Sequence, residues 1–103
     1  MAVVSELGLR SARYVDQIRI NGTAHGRNGG SDQGSITLGN DEYISKVEFR
    51  SDKFVDYVKF TTSTGRSIYG GGDGGYPGKL EGIRVLAIGG RSGAYVDKLD
   101  VMY

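Results

Sequence analysis

The chain has 103 residues, no cysteine and a formal net charge of +1 from 13 basic and 12 acidic side chains. A chain of that length forms one ordinary domain that can bury a core without staples, and the missing cysteines exclude a disulfide framework, a thiolate metal site and a cysteine nucleophile. No Lys/Arg block makes an electrostatic case for nucleic acid, and no stretch approaches the length of a membrane span.

In chain order, the apolar run Met1 to Val4 ends at Ser5-Glu6, too short for a secretory h-region. The expectation is therefore a cytoplasmic or non-classically secreted protein with no membrane insertion. Residues 17–20 alternate, with Ile18 and Ile20 on one face and Gln17 and Arg19 on the other, which predicts a strand. Asn21-Gly22 then reads as a tight hairpin turn. With Thr23 it also spells a glycosylation sequon, and the turn is the preferred reading. Further strands are predicted at 35–38, at 44–49, around Val58 and Phe60, at 67–69, at 83–88, and around Leu99 and Val101. No segment predicts a helix of three turns. Glycine occurs 18 times, about two and a half times ordinary usage of ~7%, and between strand-like segments it signals tight turns.

One segment recurs three times: Arg10-Ser11-Ala12-Arg13-Tyr14-Val15-Asp16, Arg50-Ser51-Asp52-Lys53-Phe54-Val55-Asp56, and Arg91-Ser92-Gly93-Ala94-Tyr95-Val96-Asp97. Successive aspartates stand 40 and 41 residues apart. Two glycine loops follow the first two copies, His25 to Gly30 and Tyr69 to Gly75; symmetry would put a third before residue 1. Three mostly-strand units of this period fit a closed threefold all-β fold and are too few for a propeller. A prism or a trefoil-like barrel remains, and about four short strands per unit favour the prism.

Each aspartate shares parity with the apolar positions of its strand: Tyr14, Asp16, Ile18 and Ile20 in the first copy, and likewise in the others. A carboxylate on an inward face is costly unless hydrogen-bonded. It could fix a turn by accepting backbone bonds, or it could receive a ligand's hydroxyls. An aromatic residue two places before each aspartate and side-chain-free glycine backbone nearby suit a sugar ring. The glycine loops lack the Lys-Ser/Thr of a phosphate loop and open no helix. One acid in Gly71-Gly72-Asp73-Gly74-Gly75 is too few for calcium. His25 has no nucleophile partner by spacing. An acid pair such as Asp97 and Asp100 could suggest a glycosidase, but catalytic sites are single, whereas binding sites repeat for avidity.

These residues resemble the jacalin-related lectins. The similarity runs through 10–20, 21–30, 42–45, 49–60, 64–66, 69–75 and 93–103, and its motif is Gly-x-Tyr-x-Asp with paired glycine loops. The resemblance implies a β-prism I fold of three Greek-key-like sheets with pseudo-threefold symmetry, one sheet here short of its N-terminal strand. It implies mannose or high-mannose glycan binding without metal or cofactor, and no enzyme activity. It implies that Asp16, Asp56 and Asp97 accept sugar hydroxyls. Tyr14, Phe54 and Tyr95 would lie beside the sugar, and Arg13, Lys53 and Ala94 would donate backbone N–H groups. Gly30 and Gly75 would close the Asp16 and Asp56 sites.

Departures from the family pattern are specific. Only Gly93 keeps the motif's first glycine, with Ala12 and Asp52 in the other copies, so a positive φ there would strain two sites. Asp52 adds a second acid near Asp56, and Arg27-Asn28 replace small loop residues. A prism scaffold that has lost sugar binding is the competing expectation. The open sheet edge predicts a homodimer or strand exchange.

Overall fold

A computed structural model describes residues 4–93 and 95–103; the side chains of Arg91 and Asp97 lie outside that description. The described residues form ten strands and no helix: β1 (Glu6–Ser11), β2 (Val15–Ile20), β3 (Thr23–Gly26), β4 (Ser31–Thr37), β5 (Ile44–Ser51), β6 (Val55–Thr62), β7 (Ser67–Gly71), β8 (Tyr76–Glu81), β9 (Ala87–Ser92) and β10 (Val96–Met102). They make three antiparallel sheets, ordered β3-β2-β1-β4, β7-β6-β5-β8 and β10-β9. In each four-stranded sheet, three hairpin-linked strands are followed by a fourth that returns beside the first, which is the Greek key order.

Strands β2, β6 and β10 contact one another pairwise, so the three sheets close around a common axis. Their inward faces meet in one core. Leu7, Leu9, Val15, Ile18 and Ile20 come from the first sheet; Val47, Val55, Val58, Phe60 and Ile68 come from the second; Ile88 and Val96 come from the third. Fully burying side chains of this size stabilises the fold by about 1.5–3 kcal/mol each.

Asn21 (φ 53°) and Gly22 (φ 84°) close the β2–β3 hairpin with positive φ at both corner positions, as the sequence predicts. The Asn21 side chain also accepts from the Ser5 and Glu6 backbone at 2.7 and 3.0 Å, tying the turn to the start of β1.

Several expectations shift. The strand predicted at 83–88 begins only at Ala87 and continues through Gly89-Gly90 to Ser92. Residues 83–86 instead cross between sheets, with Val85 N–H bonded to Ile44 O and Leu86 N–H to Met102 O. Strands β1, β3 and β8 carry no clear alternation and are not predicted. Strand β8 contains Pro77, tolerated because β8 is an edge. The third sheet holds two strands among the described residues, one fewer than the loss of a single N-terminal strand would leave.

Candidate functional site

The alternation expected through each aspartate does not hold, and the difference builds the site. Strand β2 pairs Arg10 with Gln17 and Ser11 with Val15, leaving Asp16 as an extra residue in a β-bulge. The same slip occurs in β6, where Arg50 pairs with Tyr57 and Ser51 with Val55. The backbone of β10 shifts register between Val96 and Lys98 in the same way. Val15 and Val55 therefore point into the core, while a bulge re-aims the residue that follows. Asp16 and Asp56 are nevertheless buried, 2% and 6% exposed.

What covers them follows from the topology. The crossing from β3 to β4 passes over the end of the β1–β2 hairpin, and the crossing from β7 to β8 does so over β5–β6. Those crossings are the glycine loops. Their entry is fixed by backbone bonds to the aspartates themselves: Arg27 N–H donates to Asp16 O at 3.1 Å and Gly72 N–H to Asp56 O at 2.8 Å. The preceding residues, Gly26 (φ 108°) and Gly71 (φ 121°), lie so close to the same carbonyls that a Cβ would sit 2.2 and 2.1 Å from them. Further along, Gly29 and Gly30 press on the Asp16 carboxylate and Gly74 on that of Asp56, where a Cβ would fall within 2.5–2.8 Å of a carboxylate oxygen. Gly75 packs on Ser51 rather than on Asp56 itself. Only glycine leaves each carboxylate a mouth.

The repeat's first residue holds these loops. Arg10 donates from Nε to Gly29 O and from Nη2 to Gly30 O, both at 3.1 Å. Arg50 does the same to Gly74 O at 3.0 Å and Gly75 O at 3.1 Å. The fork geometry of guanidinium suits two adjacent carbonyls. Sequence reasoning assigned these arginines no role, although their threefold recurrence was the available signal.

The hairpin turns agree across the copies: Ala12 N–H bonds Tyr14 O, Asp52 N–H bonds Phe54 O, and Gly93 N–H bonds Tyr95 O, at 2.9–3.1 Å. Among the described residues Asn21 is the one non-glycine with positive φ. Ala12 and Asp52 are therefore unstrained, and the lost glycines do not reshape the turn. Arg13 and Lys53 occupy its exposed tips. Ala94 and the Asp97 side chain, expected at the third site, lie outside the described residues.

The aromatic residues do not stand as three separate walls. Tyr14, Phe54 and Tyr95 pack against each other, with ring centroids 5.4, 5.1 and 4.9 Å apart in edge-to-face and tilted geometry. They gather the three hairpin turns at one end of the axis. The sites thus share one aromatic centre, with half-buried rings.

Asp56 Oδ1 is buried and, among the described residues, has no hydrogen-bond partner. Leaving such a group unpaired costs about 1–3 kcal/mol or more. One oxygen of the Asp56 carboxylate is thus left unserved by the described residues. Two grooves of about 460 and 320 Å³ lie elsewhere, on either side of the β9–β10 sheet, and neither touches Asp16 or Asp56.

Residues 3–102 match the family described as the Jacalin-like lectin domain. Griffithsin, from a Griffithsia species, is 39% identical over 102 residues, covering 97% of this chain and 84% of that protein. A Malaysian banana lectin variant superposes with a TM-score of 0.84 at 20% identity, covering 98% of this chain and 84% of that one. A mannose-binding jacalin-related lectin from Ananas comosus gives 0.81 at 22% identity, covering 98% and 81%. Artocarpin, solved in complex with methyl-α-mannose, gives 0.81 at 17% identity, covering 98% and 82%.

Proposed function

The chain belongs to the jacalin-like lectin family, and from that premise we propose that it binds mannose and high-mannose glycans without metal, through repeated sites centred on Asp16, Asp56 and Asp97. The observation that carries this reading is Asp56: a buried carboxylate with an unpaired oxygen, under glycine backbone and beside a shared aromatic centre. A carboxylate accepts two neighbouring sugar hydroxyls in charge-assisted bonds of about 1.5–3 kcal/mol each before desolvation. Backbone N–H groups at Lys53 and Phe54, and at Arg13 and Tyr14, supply donors at the turn tips, and Gly30 and Gly75 end the loops that close the sites. The protein acts by binding, not by catalysis. Single sites are shallow and weak; sites gathered around one axis give avidity for branched glycans.

A glycan array read with and without EDTA tests this. Mannose-terminated glycans should give equal signal in both conditions, and D56A should lower it while circular dichroism stays unchanged. Binding that needs calcium, or no mannose signal, would remove the proposal.

We further take a homodimer as the assembled state. The β9–β10 sheet has both edges open among the described residues, and apolar grooves lined by Ile18, Ile20, Ile88 and Leu99 on one side and Leu80 and Val101 on the other run beside it. Open edges of this kind recruit strands. Sedimentation equilibrium should report twice the chain mass, and a monomer across the whole concentration range would contradict the dimer.

A further inference from the structure

The Asp16 and Asp56 sites share a bulge, a turn and a glycine loop, but they differ at the loop's first residue. Where the second loop has Gly72, the first has Arg27. Arg27 Nε stands 3.7 Å from Asp16 Oδ1. Its guanidinium carbon lies 5.0 Å from the centroid of the Tyr95 ring. It also rests on Gly29, where a Cβ would be 2.7 Å from Nε. The guanidinium thus sits at the mouth of the Asp16 site, between its carboxylate and the aromatic centre. The loop is anchored there, since Gln17 Nε2 donates to Asn28 Oδ1 at 2.8 Å and Gln17 is buried. Yet the Arg27 side chain is 54% exposed and its pairing with Asp16 is too long for a hydrogen bond. Donors on the fork therefore remain open to a ligand.

Local charge follows the same division. Residues 12–16 and 26–30 carry Arg13 and Arg27 against Asp16, leaving one positive charge; residues 52–56 and 71–75 carry Lys53 against Asp52, Asp56 and Asp73, leaving two negative charges. An anion is attracted to the first site and repelled from the second. A neutral sugar at Asp16 must displace a cation already beside the carboxylate. A sugar with an anionic group gives that cation a better, bidentate partner.

We propose that Arg27 sets the preference of the Asp16 site, which binds sugars bearing a phosphate, sulfate or carboxylate beside a hydroxyl pair more tightly than neutral mannose, whereas the Asp56 site prefers neutral sugars. This rests on the sugar-binding reading of both sites. The test is a titration of 15N-labelled protein with methyl α-mannopyranoside and with mannose 6-phosphate, following the amides of 27–30 and 72–75 separately. In the wild type, loop 27–30 should respond to the phosphorylated sugar at a concentration lower by roughly tenfold, about one charge-assisted contact's worth, and loop 72–75 should prefer the neutral one. R27G should reverse the preference at 27–30 and leave 72–75 unchanged; R27K, a charge without the fork, should keep part of it. The same preference in R27G and wild type overturns the proposal, as does inorganic phosphate matching the sugar phosphate. In the first of those cases, neutral-sugar binding at 72–75 leaves the sugar-binding reading standing, whereas silence of both loops to both sugars overturns the two together.

Discussion

At the scale of single residues, two carboxylates in this protein are covered in opposite states. The Glu42 side chain is covered, 5% exposed, and its carboxylate is fully served: Arg66, Thr64 and Thr62 and the Gly39 N–H all bond it. Arg66 foremost, then the two threonines and Gly39, hold its carboxyl well below the ordinary glutamate value of 4.5. Asp56 is buried with an oxygen unserved among the described residues, which the proposed sugar hydroxyls would serve. A depressed carboxyl pKa adds stability that is fully present above the unfolded value and is lost as pH falls below it. E42Q should accordingly lower the melting temperature at pH 7, and the gap from wild type should narrow as pH drops below 4.5. A gap independent of pH would mean that the carboxylate charge contributes nothing. The repeated aspartate was legible from sequence because it recurred. Its bulge was not, because an extra residue in a strand leaves the apolar-polar alternation around it intact to the eye, and only pairing with Ser11 and Gln17's neighbour Arg10 reveals the slip. Arg27 registered only as a departure from pattern; its position over Tyr95 depends on the third repeat, which no local reading connects to the first.

At the scale of elements, the Greek key does the assembling. A fourth strand that must return beside the first carries its connection over the hairpin end, so a glycine loop necessarily crosses the aspartate. Arginine then sets the height of that loop. R50A removes two bonds to Gly74 and Gly75, and mannoside affinity at the Asp56 site should fall on the order of tenfold, or ~1.4 kcal/mol. R50K should restore only part, having no fork. Calorimetric titration checks this, alongside thermal melts; a lower melting temperature with unchanged affinity would make Arg50 a stability residue only. The hairpin at Asn21-Gly22 was readable because its chemistry is local. Strands β1 and β8 were not: Leu7, Gly8 and Leu9 are all buried, which erases alternation, and Pro77-Gly78 imitates a turn until β5 is seen to pair with it.

At the scale of the molecule, three repeats meet at one ring cluster, and this makes the sites neighbours without making them equal. Arg27 stands at the mouth of Asp16, whereas that of Asp56 carries no side chain at the equivalent loop position, Gly72. Threefold symmetry was legible in the spacing of 40 and 41 residues; the sharing of one aromatic centre was not, since spacing says nothing about which end of the axis the turns occupy. The most direct test is a crystal structure of the protein soaked with methyl α-mannopyranoside in the presence of EDTA. It should show the sugar against the 52–56 turn, with two hydroxyls within hydrogen-bond distance of the Asp56 carboxylate and no metal between them. A sugar bound elsewhere, or an empty site with Asp56 Oδ1 paired to a protein donor, would contradict it.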